Sequence, residues 1–319
     1  MLRLAVVLFA VTTRTAAGAT AASDGSDQAH TGHRPHNRPN NLLFMMADQM
    51  RYDMMGCAGN KAANTPALDR IAAQGALFQG YSSTPTCTPA RAGLLTGRSP
   101  WNHGMLGYGT VASRYPFEMP RVLKDAGYTT ISIGKDHFGW NSTLDHGIDH
   151  GYTTTQLYDG LGTGFKSGPE FDNYDRWFQA QMPGKDPMAT GLDWNTWHGA
   201  AYVYDEYYHP TAWVGRTAVS FLNNLTASSP PWFMKVSFHR PHSPYDPPAR
   251  LLNATHVADL PPMTTGGNWD QRFRGLQGDP PGCGPTADAW CGLMPTNQSD
   301  VSRRAYYASG TNYLSLCSL

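Results

Sequence analysis

From Asn41 onward, apolar and polar positions follow two rhythms, short continuous apolar runs and helical spacing. Residues 42–46 form an apolar run bounded by polar residues and predict a buried strand. Pro66–Gln74 carries helical spacing, with Asn64 or Thr65 as cap and Gly75 as stop. Residues 76–81 read as a strand leading into a turn at Cys87, 119–126 as a helix stopped by Gly127, and 129–133 as the next strand. The stretch 141–210, rich in aromatic residues, Gly and Asp, reads as long loops with one helix near 173–181. An amphipathic helix over 211–225 and a strand over 232–238 complete the pattern. Strands alternating with helices predict an α/β fold with a mixed, largely parallel sheet and helices on both faces. Ligands collect at the carboxyl ends of such strands.

The amino terminus changes the expected compartment. Arg3, the apolar run 4–11 and Ala17-Gly18-Ala19 predict a signal peptide over residues 1–19. A polar leader follows over 20–40, where His30, His33 and His36 read as a solvated linker, with a weak metal-binding tract as the alternative. Residues 41–309 form the folded domain and 310–319 an unrelated tail. No other run is long and apolar enough to span a membrane. Sequons at Asn141, Asn224, Asn253 and Asn297 agree with a secreted or lysosomal protein. In such a compartment Cys283 and Cys291, which enclose a short loop, suit a disulfide; Cys57, Cys87 and Cys317 are the other cysteines. Lys plus Arg and Asp plus Glu each number 24, so there is no basic footprint for nucleic acid. Nine Trp and 16 Tyr suit aromatic-walled clefts.

The most informative run is 87–98, Cys-Thr-Pro-Ala-Arg-Ala-Gly-Leu-Leu-Thr-Gly-Arg. Pro89 suits the first turn of a helix. Cys87 would then lie just before a helix N-terminus, where free N–H groups favour anions, with Arg91 one turn along on the same face. This run resembles the signature of the type I sulfatases, Cys-x-Pro-x-Arg followed by Leu-x-Thr-Gly-Arg. The resemblance implies an alkaline-phosphatase-like fold. It also implies that a formylglycine-generating enzyme oxidises Cys87 to formylglycine, whose hydrated aldehyde is the nucleophile.

Further matches follow the predicted strands. Asp48-Gln49 resembles the Asp-Gln variant of the family's metal-binding pair, seen in some bacterial sulfatases and phosphonate monoester hydrolases. It implies a site for Ca²⁺ or Mg²⁺ made by Asp48, Gln49 and modified Cys87. The segment 134–139 is similar to Gly-Lys-x-His-x-Gly, where Lys135 contacts sulfate oxygens and His137 holds or deprotonates the diol. Two apart in an extended stretch, Lys135 and His137 would point to the same side. His239-Arg-Pro-His242-Ser-Pro resembles the family's His-x-Pro-His-x-Pro segment, with His242 the first choice and His239 the second as acid to the leaving oxygen.

The implied activity is hydrolysis of a sulfate ester, with a sulfated carbohydrate or aryl sulfate as substrate. The alternatives are a phosphonate or phosphodiester hydrolase with the same nucleophile, or a non-catalytic secreted protein that binds sulfated glycans. Relatives also carry, beyond the helix at 302–309, a strand ending in an Asp-Asn or Asp-His metal pair, which this sequence does not carry. The expectation is therefore an incomplete catalytic domain, weakly active or inactive as written.

Overall fold

The computed structural model of the protein describes residues 39–107, 109, 111–138, 149–160, 172–192, 198–226, 228–260 and 300–309. The predicted signal peptide, the leader histidines, Asn141, Asn297, Cys283, Cys291, Cys317 and the tail lie outside the described residues.

Four strands form one sheet in the order β1-β4-β2-β3: β1 (Leu42–Ala47), β2 (Thr129–Gly134), β3 (Thr154–Leu157) and β4 (Trp232–Phe238). Every pairing among them is parallel, with Leu42 opposite Phe233 and Thr129 opposite Trp232. The helices are α1 (Pro66–Gln74), α2 (Cys87–Thr96), α3 (Pro100–His103), α4 (Met119–Asp125), α5 (Asn173–Gln181), α6 (Pro210–Asn224), α7 (Ala249–Ala254) and α8 (Asp300–Tyr307).

Strand alternation sends side chains to two different cores. On one face Leu43, Ile131, Ile133, Met234 and Val236 pack with Tyr174 and Phe178 of α5 and with Trp213, Val214 and Ala218 of α6. On the other, Phe44, Met46 and Phe233 pack with Ala92 and Leu95 of α2, and Met119 and Leu123 of α4 flank them. Helices therefore cover both faces, as the strand-helix alternation predicts. Full burial of one such aliphatic side chain contributes about 1.5–3 kcal/mol.

The second face is not wholly apolar. Ser132, Lys235 and Ser237 lie on it, all buried, because two charged groups described below need partners there. The run 42–46, read as one continuous apolar block, is thus one strand of a sheet whose two central members carry polar residues inside.

Some boundaries and one whole element differ from expectation. Residues 76–81 form no strand: no partner strand lies beside them among the described residues, and Leu77, Phe78 and Tyr81 are exposed. Within 141–210 the loop reading missed β3, which completes the sheet beside β2 through Ile131 opposite Thr154. The helix expected at 119–126 ends at Asp125, with Ala126 as its cap and Gly127 at φ +89°. The helix expected at 211–225 starts one residue earlier, because Pro210 occupies its first position and His209 caps it by accepting from the Thr211 N–H. No helix among the described residues is long and apolar enough to cross a membrane.

Candidate active site

Three strand ends and one helix start meet on the carboxyl side of the sheet. β1 ends into Asp48, β2 into Lys135 and His137, and β4 into His239 and His242. Cys87 is the first residue of α2 rather than the residue before it; extended Thr86 is the cap. α2 stops at Gly97, whose φ of +66° suits glycine and whose N–H closes on the Gly93 carbonyl at 2.8 Å.

Asp48 is the centre of the cluster. One of its carboxylate oxygens lies 2.6 Å from Lys135 Nζ and 3.5 Å from Arg91 Nη2. Its other oxygen accepts from Cys87 Sγ at 3.5 Å. Burial alone would raise the Asp48 pKa, but Lys135, Arg91 and His242 outweigh it and hold the carboxyl well below the usual range. Asp48 is therefore ionised. Asp48, Cys87 and His242 each offer a ligand atom, all within 4.8 Å of one another. Gln49 follows Asp48 at φ +57°, half-buried.

Arg91 is 4 % exposed and spends its donors on the sheet. Its Nη1 donates to the Lys135 carbonyl at 2.6 Å and to Ser237 Oγ at 3.1 Å. The spacing in the sequence aims Arg91 back at residue 87; the fold instead anchors it between β2 and β4, with its Nη2 on Asp48.

Lys135 and His137 reach the cluster by a route other than an extended stretch. Gly134 turns at φ +89° and His137 at φ +51°, so the backbone folds over itself between them. Asp159, just after β3, clamps this turn: its Oδ1 accepts from the N–H groups of Asp136 at 2.8 Å and His137 at 2.9 Å. Asp136 is tied from below by Ser132 Oγ at 2.7 Å and by a close ion pair with Lys235. Sequence reasoning missed Asp136, Asp159, Lys235 and Ser237. The polar residues within predicted strands were the available signal, since a buried Lys235 needs a counter-charge.

The histidines are neutral in this setting. Burial first, then Lys135 and Arg91, lower His137 to about 2. Burial and Lys135 lower His242 to about 4, against the opposing pull of Asp48 and the Ser243 carbonyl. His239 is pushed down as well, by burial and then by Lys135 and His242. Burial and Asp48 push the Cys87 thiol up, and Lys135 and Arg91 only partly offset this.

The sequence profile of the sulfatase family matches residues 40–308. An arylsulfatase of Clostridium perfringens is 32% identical over 283 residues, covering 85% of this chain and 56% of that protein. The steryl-sulfatase of Mus musculus is 40% identical over 166 residues, covering 44% of this chain and 26% of that protein. Among solved structures, the phosphonate monoester hydrolase of Agrobacterium radiobacter superposes with a TM-score of 0.66 at 20% identity, over 87% of this chain and 57% of that one. That of Silicibacter pomeroyi gives 0.60 at 18% identity, over 88% and 57%. These likenesses establish the alkaline-phosphatase-like fold. The chain spans about a quarter to somewhat over half the length of the curated relatives named here. With the Cys87 run at the head of α2 and the family profile matched along nearly all of the folded region, the chain belongs to the sulfatase family.

Proposed function

We propose that this chain carries the nucleophile and the anion-binding groups of a sulfuric ester hydrolase, with residue 87 acting after its cysteine is converted to formylglycine. The observation that carries the reading is one cluster at the head of α2, in which buried Asp48, Arg91, Lys135 and His242 surround half-buried Cys87. The unmodified thiol is poorly suited to attack, because its raised pKa keeps it protonated at neutral pH. Formylglycine, once made, supplies a hydrated aldehyde with a hydroxyl nucleophile.

The surrounding residues suit an anionic ester. Lys135 and Arg91 bring two positive charges against one carboxylate, leaving net positive charge for sulfuryl oxygens. The head of α2 adds backbone N–H groups of the same polarity. Asp48 orients Lys135, and Ser237 with the Lys135 carbonyl orients Arg91. His242 lies 2.7 Å from the Ser243 carbonyl through Nδ1, so in the neutral ring Nε2 bears the lone pair. That nitrogen can accept a proton from the nucleophile's hydroxyl and return it to the leaving oxygen.

A divalent cation fits the donors in part. Asp48 is ionised and Gln49 offers an amide oxygen. Asp48, Gln49 and residue 87 would hold Ca²⁺ or Mg²⁺, with His242 beside them; a bound Ca²⁺ wants roughly six oxygen donors or more, so water and substrate oxygens complete the set. When present, such an ion acidifies a bound hydroxyl and balances charge on the sulfuryl oxygens.

The substrate class is an aryl sulfate or a sulfated carbohydrate. Passage through the secretory route is supported by the amino-terminal pattern and by exposed Asn224 and Asn253. The amide of Gln49, in place of a second carboxylate, favours a second reading, the phosphonate or phosphodiester ester. The test is co-expression with a formylglycine-generating enzyme, peptide mass spectrometry over residue 87, and parallel assays on aryl sulfate and aryl phosphonate. Aldehyde at residue 87 is expected, with aryl sulfate turned over only weakly by this chain but faster than aryl phosphonate, and that turnover abolished by Cys87→Ala. Free thiol only, or preference for the phosphonate, refutes the reading; sulfated-glycan binding without turnover by the aldehyde form favours a binding protein.

A further inference from the structure

Two histidines stand three residues apart after β4, and their neighbours fix them in opposite tautomers. His242 Nδ1 lies 2.7 Å from the Ser243 carbonyl oxygen, which can only accept, so Nδ1 carries the hydrogen. His239 Nδ1 lies 2.7 Å from Nη1 of Arg240, which can only donate. The lone pair of His239 is therefore on Nδ1 and its hydrogen on Nε2.

Arg240 has no freedom to release this contact. It is 1 % exposed, and its Nε and Nη2 donate to the two oxygens of Asp246 at 2.6 and 2.8 Å. A guanidinium does not give up its proton in a protein. Asp246 is itself held within 3.6 Å of His209 Nε2. Asp246 accepts from Arg240 and Arg240 donates to His239, so the three form one buried hydrogen-bonded chain whose open donor end is His239 Nε2.

That end is buried beside the site. His239 is 2 % exposed and its Nε2 has no hydrogen-bond partner among the described residues. Its ring centroid lies 4.7 Å from that of His242, and Lys135 and Arg91 lie close enough to act on its charge. Gly160, at φ +67°, covers part of the ring; a Cβ there would stand 2.5 Å from His239 Cδ2 and 2.8 Å from Nε2. Any other residue would block the edge that bears the hydrogen.

We propose that His239 is a neutral hydrogen-bond donor to an oxygen of the bound tetrahedral oxyanion, held in its tautomer by Arg240 and Asp246 as positioning residues, while His242 alone handles the proton. An Nε2–H offers a dipole to the anion without exchanging a proton, so no bond is made or broken at His239. The division of labour rests on the sulfatase reading only in taking the ligand to be a sulfate-like oxyanion.

The test uses the whole chain with ¹⁵N-labelled histidine, long-range ¹H–¹⁵N correlation at neutral pH, and titration with inorganic sulfate. His239→Gln assigns the resonances. The expected result is an Nε2–H tautomer for His239, an Nδ1–H tautomer for His242, and a saturable shift of the His239 Nε2 resonance. His239→Ala should weaken sulfate binding roughly tenfold or more, and His239→Gln, which keeps an N–H donor, by less. An Nδ1–H ring or an imidazolium at His239, or an Nε2 resonance that sulfate leaves unmoved, overturns the proposal. If the alanine variant does not fold, the tautomers and the titration of the unmutated protein still decide. Sulfate binding with these signatures but only free thiol at residue 87 after co-expression sinks the hydrolase reading and leaves the donor assignment intact; aldehyde at residue 87 with the wrong tautomer does the reverse.

Discussion

Lys235→Met should unfold the protein more readily by about 3–5 kcal/mol, the cost of leaving one member of a buried ion pair alone. Lys235 lies in β4, between β1 and β2, and is 2 % exposed. Its ammonium is paired with Asp136, and it sits 5.2 Å from the ring centres of both Phe138 and Tyr152. Burial lowers the Lys235 pKa and Asp136 opposes that shift. Methionine keeps most of the stem volume, so packing changes little and the charge is the perturbation. Asp136, 1 % exposed, would keep Ser132 Oγ at 2.7 Å but lose its ion-pair partner among the described residues. The measurement is guanidinium unfolding of Lys235→Met, Asp136→Asn and the double variant. With a per-kcal shift of about 2–4 °C for a chain of this size, the single variant should also melt roughly 6–20 °C lower. The double variant should recover at least half of the loss, since neither charge is then stranded. A loss under about 1 kcal/mol for Lys235→Met, or no recovery in the double variant, would refute the idea that this pair is balanced in a dry environment.

Gly134→Ala should cost more than about 3 kcal/mol, because a Cβ there would lie 2.0 Å from the Ser237 carbonyl oxygen at a φ of +89°; thermal melting within a few degrees of the parent would contradict this. Asp159→Ala should cost about 2–4 kcal/mol by stranding the N–H groups of Asp136 and His137, whereas Asp159→Asn, which keeps an acceptor oxygen, should cost under about 1 kcal/mol; equal losses by denaturant titration would count against the clamp. Burial and then Asp186 push Asp175 up to about 6, above its unfolded value of about 4, so its stabilising contribution is full below pH 4 and lost as pH rises through 6. Asp175→Asn should therefore exceed the parent in stability by about 1–3 kcal/mol at pH 8, with the gap closing by pH 4, and a gap independent of pH would be fatal to this assignment.

Much of the site was legible in the chain because its chemistry is local. The run at Cys87 carries its own helix start, and Lys135, His137, His239 and His242 each follow an apolar run by a few residues, where a parallel sheet exposes its strand ends. Helix boundaries such as Asn173–Gln181 were legible for the same reason, since caps and stops act within one turn. Residues 76–81 failed as a strand because an apolar run says nothing about whether a partner strand stands beside it. β3 was hidden because its four residues, Thr-Thr-Gln-Leu, carry little apolar signal and gain order mainly from pairing with β2.

What the sequence determined by itself is which residue types stand at which strand ends, together with the family signature. What only the tertiary structure decided is how their charges are balanced and which hydrogens they carry. Lys235 meets Asp136 across 99 residues of chain, and Arg91 meets Ser237 across 146. The tautomer of His239 depends on a guanidinium whose direction is set by Asp246. Periodicity reports burial along one segment, whereas an ion pair or a tautomer is fixed by whichever distant segment arrives beside it, and that depends on the strand order β1-β4-β2-β3.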